Sequence, residues 1–370
     1  MTHLLNENGR GKTMKLKRLS FLTICMVMLL ANLMSTNVWT IDYEVLPATI
    51  PREEMVIFHM HYKMVAPDLM NPFLPRNSQR WHGCVGAAAT LILVNFENGT
   101  IDGYCAERWE FSPDYKTLTF YLRRGVTWSD GHPFTSQDVA FTINMRITNT
   151  AVLQSVWAKY IESVETPDDY TVVIHLKEPY PRIIYTFDEE DMVPKHVWEG
   201  QDPATFKWSR PESVGPYILV RSTETEQIFR RIEGKWWGED IFGPALPKYV
   251  VFRFVPPELL VAEMAKDGLD IAMLPTISDV KLLKSLNPYW RGWEKLGSPE
   301  IIVGKFHTVT KMQLNLAKYP WNIPEVRRAI SLAINRTLIH NIVAEGMEKI
   351  AEPNPIGVVP LYPYHMEHYV

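Results

Sequence analysis

The chain is poor in cysteine, carries no excess of positive charge, has no internal repeat or low-complexity tract, and shows no long apolar run beyond its N-terminal region. Each absence removes a class of answer. A net charge of −4 provides no basic field for counterion release from a phosphate backbone, so nucleic acid is set aside as a partner. Past Met34 nothing approaches membrane-spanning length, and the remainder is expected to be soluble. No nucleophile elbow, P-loop, dinucleotide fingerprint or zincin helix occurs, so the chain is not read as an enzyme and no cofactor is assigned. Of three cysteines, Cys25 lies in the N-terminal apolar run. Cys84 and Cys105 remain, either as one disulfide or as two separate buried thiols.

What is present describes a folded protein, with 46% hydrophobic, 22% charged and 12% aromatic residues. A length of 370 residues exceeds one ordinary core, which points to two or three domains. Twelve Trp and sixteen Tyr supply buried area and flat faces on which a ligand can stack. At the N-terminus Lys15, Lys17 and Arg18 precede an apolar run from Leu19 to Met34, the pattern of an export signal. Ser35, Thr36 and Asn37 match a cleavage site only loosely, so an uncleaved anchor is the alternative, and bulky Ile24 before Cys25 argues against lipid attachment. The expected location is outside the cytoplasm, periplasmic or on the outer face of the membrane.

Along the chain, Leu91–Phe96 leads into Asn98-Gly99, a dipeptide suited to the positive φ angles of a tight hairpin turn. Leu118, Phe120 and Leu122 alternate with polar neighbours, as do Val172, Ile174 and Leu176, which predicts two strands with one buried face each. Thr135 and Asp138 form a capping box for a helix from Ser136, with Val139, Ile143 and Ile147 as its core stripe. Strands are expected at Tyr217–Val220, Tyr249–Phe254 and Leu269–Leu274, with a helix at Leu259–Lys266. A further helix should open at Pro324, capped by Asn322 and burying Val326, Ile330 and Ile334, and be followed by one from Thr337 to Gly346. Strands alternating with helices make the class α/β.

Several runs together resemble one family, the peptide and nickel class of extracellular solute-binding proteins known as family 5. Met70-Asn71-Pro72-Phe73 is similar to its early Asn-Pro element, and Ala106–Asp114 to its Ala-Glu-x-Trp-x-x-Ser-Pro-Asp block. Phe120–Val139, with Asp130-Gly131-His132-Pro133 at its centre, resembles its longest signature. Pro194-Lys195-His196, Gly215-Pro216-Tyr217, Trp237-Gly238, Gly268–Ala272 and Val326–Ile330 follow in the family's order. The resemblance implies a two-lobed, periplasmic-binding-protein-like clamp (type II) that closes on its ligand through a hinge. It also implies a monomeric receptor that delivers a small peptide to the permease subunits of an ABC importer, with an oligosaccharide or a nickel chelate as alternative ligands. A non-transport sensor or a defunct fragment is the reading from a different class. The implied organisation is a leader over 1–43, lobe I over 44–274 with an inserted subdomain near 84–190, and a partial lobe II over 275–370, the first crossing falling near Leu274-Pro275-Thr276. Two departures stand out. Glu212-Ser213-Val214 replaces the small pair that commonly precedes Gly-Pro-Tyr, and the chain stops at Val370 within the second lobe, leaving the clamp incomplete.

The candidate residues for chemistry are few. His59-Met60-His61 and His365-x-x-His368 have spacings at which two imidazoles can share an ion, but neither has clustered Cys or carboxylate partners, so no metal site is assigned. Glu189-Glu190-Asp191 reads as a solvated acidic loop. Trp109 and Trp128 belong to the signature and read as lobe packing. Trp81 and Trp157 stand in irregular segments where a ring either faces a cleft or packs into the core, and these two are the candidate ligand-binding residues.

Overall fold

The computed structural model describes residues 41–74, 85–95, 100–149, 152, 156–274, 276–290, 312 and 314–343. In chain order the strands and principal helices are β1 (Ile41–Asp42), β2 (Met55–Met60), β3 (Ile92–Val94), β4 (Ile101–Gly103), β5 (Ala106–Phe111), β6 (Thr117–Leu122) and α1 (Ser136–Thr148). They continue with β7 (Ile161–Asp168), β8 (Thr171–Leu176), α2 (Lys195–Trp198), β9 (Tyr217–Ser222), β10 (Glu226–Arg231) and β11 (Tyr249–Phe254). Four helices follow: α3 (Pro257–Ala265), α4 (Ile277–Leu286), α5 (Pro324–Ala333) and α6 (Arg336–Val343). The apolar run Leu19–Met34, Trp81, Cys84, the Asn98-Gly99 turn, Gly346 and the pair His365/His368 lie outside the described residues. Among the described residues no helix is long and apolar enough to cross a membrane.

The larger sheet has the order β1-β9-β10-β11-β2. Its neighbours are antiparallel except β11 and β2, which run parallel from Tyr249↔Met55 to Phe254↔Met60. β11 is apolar at nearly every position because both its faces are covered, as expected of a strand in the middle of a layered sheet. Val250 and Phe252 join Met60, Leu219 and Phe229 in one buried cluster. Tyr249 and Val251 join Ile57, Val220, Leu260 and Met264 in the other, which brings α3 onto the sheet. The expected strand Leu269–Leu274 shrinks to a single parallel bridge, Ile271 to Phe58. One step before it, the Asp270 carboxylate accepts the Ile57 N–H at 2.7 Å and pairs with Arg52 at 2.6 Å, so a side chain occupies a place the backbone ladder would use.

Inserted between β2 and β9 is a four-stranded antiparallel sheet, β5-β6-β8-β7. Leu118, Phe120 and Leu122 of β6, and Val172, Ile174 and Leu176 of β8, are buried alternately and pack with Val139 and Ile143 of α1. The helix start is fixed locally: the Asp138 carboxylate accepts the Thr135 N–H at 2.8 Å, a cap worth about 1 kcal/mol. β3 and β4 pair antiparallel on either side of residues 96–99, with Asn95 N–H donating to Thr100 O at 2.9 Å. Cys105 is a free buried thiol in this core, pushed well up by burial.

Past β11 two expectations change. Ile323, not Asn322, occupies the N-cap of α5, with no side-chain cap bond. Val326, Ile330 and Ile334 are only half-buried, and no residue of α5 is buried. By contrast α4 packs back on α3. Leu283 is buried in the cluster of Leu260 and Met264, and Trp290 Nε1 donates to Met264 O at 2.9 Å.

Candidate functional site

In α/β sheets with parallel strands, ligands sit outside the carboxyl ends of those strands, where side chains and backbone groups are free to converge. Three parallel segments end on one rim here: β2 at Met60, β11 at Phe254, and the Ile271 bridge at Ala272-Met273. They are held in step by His59 N–H to Ile271 O at 2.7 Å and Ile271 N–H to Ile57 O at 3.1 Å. The rim presents Tyr62 (44% exposed), Ile271 (50%) and Met273 (65%), large apolar side chains that a folded protein normally covers. Lys63 extends its Nζ over the Phe254 ring at 5.7 Å. His59 and His61 share a face as their spacing predicts, with ring centroids 5.2 Å apart and edge-on. His59 Nε2 bonds Val255 O at 3.1 Å, while its buried Nδ1 has no hydrogen-bond partner. A cation, a phenol and an adaptable thioether make a surface suited to holding a ligand.

The opposite end of the same strands holds a crevice of about 700 Å³ lined by Arg230, Arg231, Trp236, Lys248 and Tyr249. Its cations are already engaged. Arg230 forms a two-pronged pair with Glu44 at 2.8 Å, Arg231 Nη1 donates to Ala245 O and Leu246 O, and Lys248 pairs with Glu54 at 2.9 Å. The carboxyl rim is the better site because it lies at the carboxyl ends of the parallel strands and exposes Tyr62, Ile271 and Met273 together.

Of the two candidate tryptophans, Trp81 lies outside the described residues. Trp157 is fully buried: its ring stacks on Phe187 at 4.8 Å and its Nε1 donates to Thr186 Oγ1 at 2.6 Å. It is a core residue of the four-stranded unit and offers no face to a ligand. Trp128 is buried as well, its Nε1 3.4 Å from Asp138 Oδ2. Within the acidic run, Glu190 and Asp191 are half-buried and not a solvated loop. Glu190 pairs at 2.6 Å with Arg146, whose side chain is 5% exposed and reaches Pro72 O of the Asn-Pro element. Beside them burial pushes the Asp191 carboxyl up to about 7, against the pull of Arg146. Tyr62, Lys63 and Met273 belong to no motif. The signal that points to them is that parallel strands end just before them.

The family model described as Bacterial extracellular solute-binding proteins, family 5 Middle, matches residues 100–369. The chain belongs to that family. Among curated relatives, a Brucella ovis protein named for ABC-transporter peptide binding is 28% identical over 267 residues, which cover 70% of this chain and 48% of that protein. The periplasmic oligopeptide-binding protein OppA of Haemophilus influenzae is 24% identical over 270 residues, 67% of this chain and 48% of OppA. This family-5 chain therefore spans about half the length of the curated relatives it matches. Among solved structures, the mannohexaose-bound periplasmic oligopeptide-binding protein of Thermotoga maritima superposes with a TM-score of 0.67 at 24% identity, over 83% of this chain and 57% of that one. That likeness shows the fold, a two-lobed periplasmic binding protein of mixed α/β structure, of which the two sheets described above are part.

Proposed function

We propose that this family-5 chain is the first lobe and the opening of the second lobe of an extracytoplasmic substrate-binding receptor, and that it captures oligopeptides for the permease subunits of an ABC importer. The observation that carries the reading is the rim: Tyr62, Ile271 and Met273 stand exposed at the carboxyl ends of the parallel strands, with Lys63 beside them. Such a rim binds and does no covalent chemistry, in keeping with a family of solute-binding proteins. Lys63 supplies a cation for a peptide's carboxylate, and the apolar rim groups supply contact for side chains of varied shape. The lobe boundary belongs after Trp290 rather than at Leu274, because α4 shares the first lobe's core through Leu283 and Trp290. Trp81 keeps its place as a ligand contact on sequence grounds alone.

Tryptophan fluorescence of the chain, titrated with short peptides, with cello- and manno-oligosaccharides and with a nickel–histidine chelate, tests this. The expected result is a saturable response to peptides that Tyr62→Ala weakens about tenfold, equivalent to ~1.4 kcal/mol. Saturation by a sugar or the chelate alone would replace the ligand class, and silence in every arm would overturn the receptor reading.

A further inference from the structure

We propose that Asp130, His132 and His196 form a binding site for a first-row divalent transition-metal ion of the zinc type, separate from the ligand rim. Their donor atoms all lie within 4.8 Å of one another. His196 Nε2 is 2.6 Å from Asp130 Oδ2, and His132 Nδ1 is 3.3 Å from the other carboxylate oxygen, Oδ1. The two imidazoles stack with centroids 3.9 Å apart and planes 25° apart. A structural aspartate–histidine hydrogen bond needs only one ring. Here a second ring brings its own nitrogen to the other oxygen of the same carboxylate, which also accepts the His132 N–H. A divalent ion at about 2.1 Å from each donor binds two imidazoles and a carboxylate at once, and imidazole nitrogen selects zinc-like ions over calcium or magnesium. Donors sharing an ion at about 2.1 Å lie roughly 3 Å or more apart, so binding opens the 2.6 Å His196–Asp130 contact by rotation of these exposed side chains. Three protein donors also leave a coordination position for water.

The backbone holds the donors firmly. Gly131 takes φ 93°, which an L side chain adopts only with strain, and so turns the chain between Asp130 and His132. That turn is tied by Trp128 N–H to His132 O at 2.8 Å and by His132 N–H to Asp130 Oδ1 at 3.1 Å. Across the gap, Lys195 N–H donates to Asp138 Oδ1 at 2.8 Å, and Trp198 is fully buried against Phe73, which anchors α2 and its His196. Glu212, whose carboxyl is pushed up by burial, lies close enough to act electrostatically on both Asp130 and His196. The donors come from segments 66 residues apart, so the ion would staple the turn before α1 to α2. Next to that turn, Ser129 N–H donates to Ser213 O at 2.7 Å, just ahead of β9. β9 enters the sheet beside Arg231, at the end away from the ligand rim, so zinc and ligand should bind independently.

Isothermal titration of the 370-residue chain with zinc chloride in a non-chelating buffer tests the site. The expected result is one ion per chain, an affinity reduced about tenfold or more by His132→Ala and by His196→Ala, and no change in His365→Ala/His368→Ala. Zinc should also raise the thermal midpoint of the wild type but not of His132→Ala. The His132 side chain is 59% exposed, so that variant retains the fold, as circular dichroism will verify. Absence of zinc binding, or equal affinity in the His132→Ala/His196→Ala double variant, would overturn the proposal.

Discussion

The two main sheets solve the same burial problem in different ways. In the larger sheet both faces are covered, so β11 is apolar at almost every position and its two faces feed two separate clusters. In the inserted sheet only one face is covered. β6 and β8 alternate strictly between buried and half-buried residues, while the edge strand β7 is mostly exposed and β5 is exposed at half of its positions. The covered sheet places its function at the ends of its strands, where Tyr62 and Met273 emerge. The half-wet sheet places its distinctive chemistry in the turns that join it to α1 and α2, where Asp130, His132 and His196 meet.

The sharpest way to break this comparison is to cut into the doubly covered strand. Phe252 is 1% exposed, stacks on Phe58 at 5.1 Å and meets Phe229 edge-on, so Phe252→Ala should lower stability by ~3–5 kcal/mol in urea unfolding. A loss below 1 kcal/mol would deny that this face is packed. Next comes the buried ion pair beneath the inserted sheet. Glu190→Gln leaves the buried Arg146 cation without its closest counter-charge and should destabilise by about 3 kcal/mol, whereas a surface pair would lose less than 1.

A pH-dependent effect, smaller than either of these per pH unit, belongs to Asp191, raised from 3.8 to about 7. The folded state holds this proton more tightly than the unfolded state, so stability from this group is full below pH ~4 and is lost as pH rises toward 7, by at most ~1.4 kcal/mol per unit. Asp191→Asn should flatten that segment of the stability–pH curve, and an unchanged curve would remove Asp191 as its source. The smallest effect on folding is expected at the rim. Met273→Ala, at a 65% exposed position, should shift stability by no more than about 0.5 kcal/mol while weakening ligand binding, and the reverse pattern would mark Met273 as a packing residue.

How well each region could be read follows the same division. Alternation in β6 and β8 announces strands and their inward faces, because a side-chain period of two maps directly onto one buried face. The capping pair Thr135/Asp138 announces the start of α1, because its hydrogen bonds span only three residues. Long motif runs carried the family resemblance. The helix near Pro324 was legible too, but its cap and its burial were not. Burial depends on what lies against a helix, and a local pattern does not report that.

Composition, local periodicity and ordered motifs were enough to determine the α/β class, most elements, the expectation of export and the solute-binding family, since these rest on near-neighbour physics and on runs of residues read in order. Only the tertiary structure decided that Trp157 belongs to the core, that α4 stays with the first sheet, and that Asp270 ends a strand by offering its carboxylate to Ile57. Only it brought Tyr62 and Met273 to one rim and set His196 against Asp130 and His132. Each of these depends on contacts between segments far apart in the chain, whose partners are fixed by packing and not by spacing.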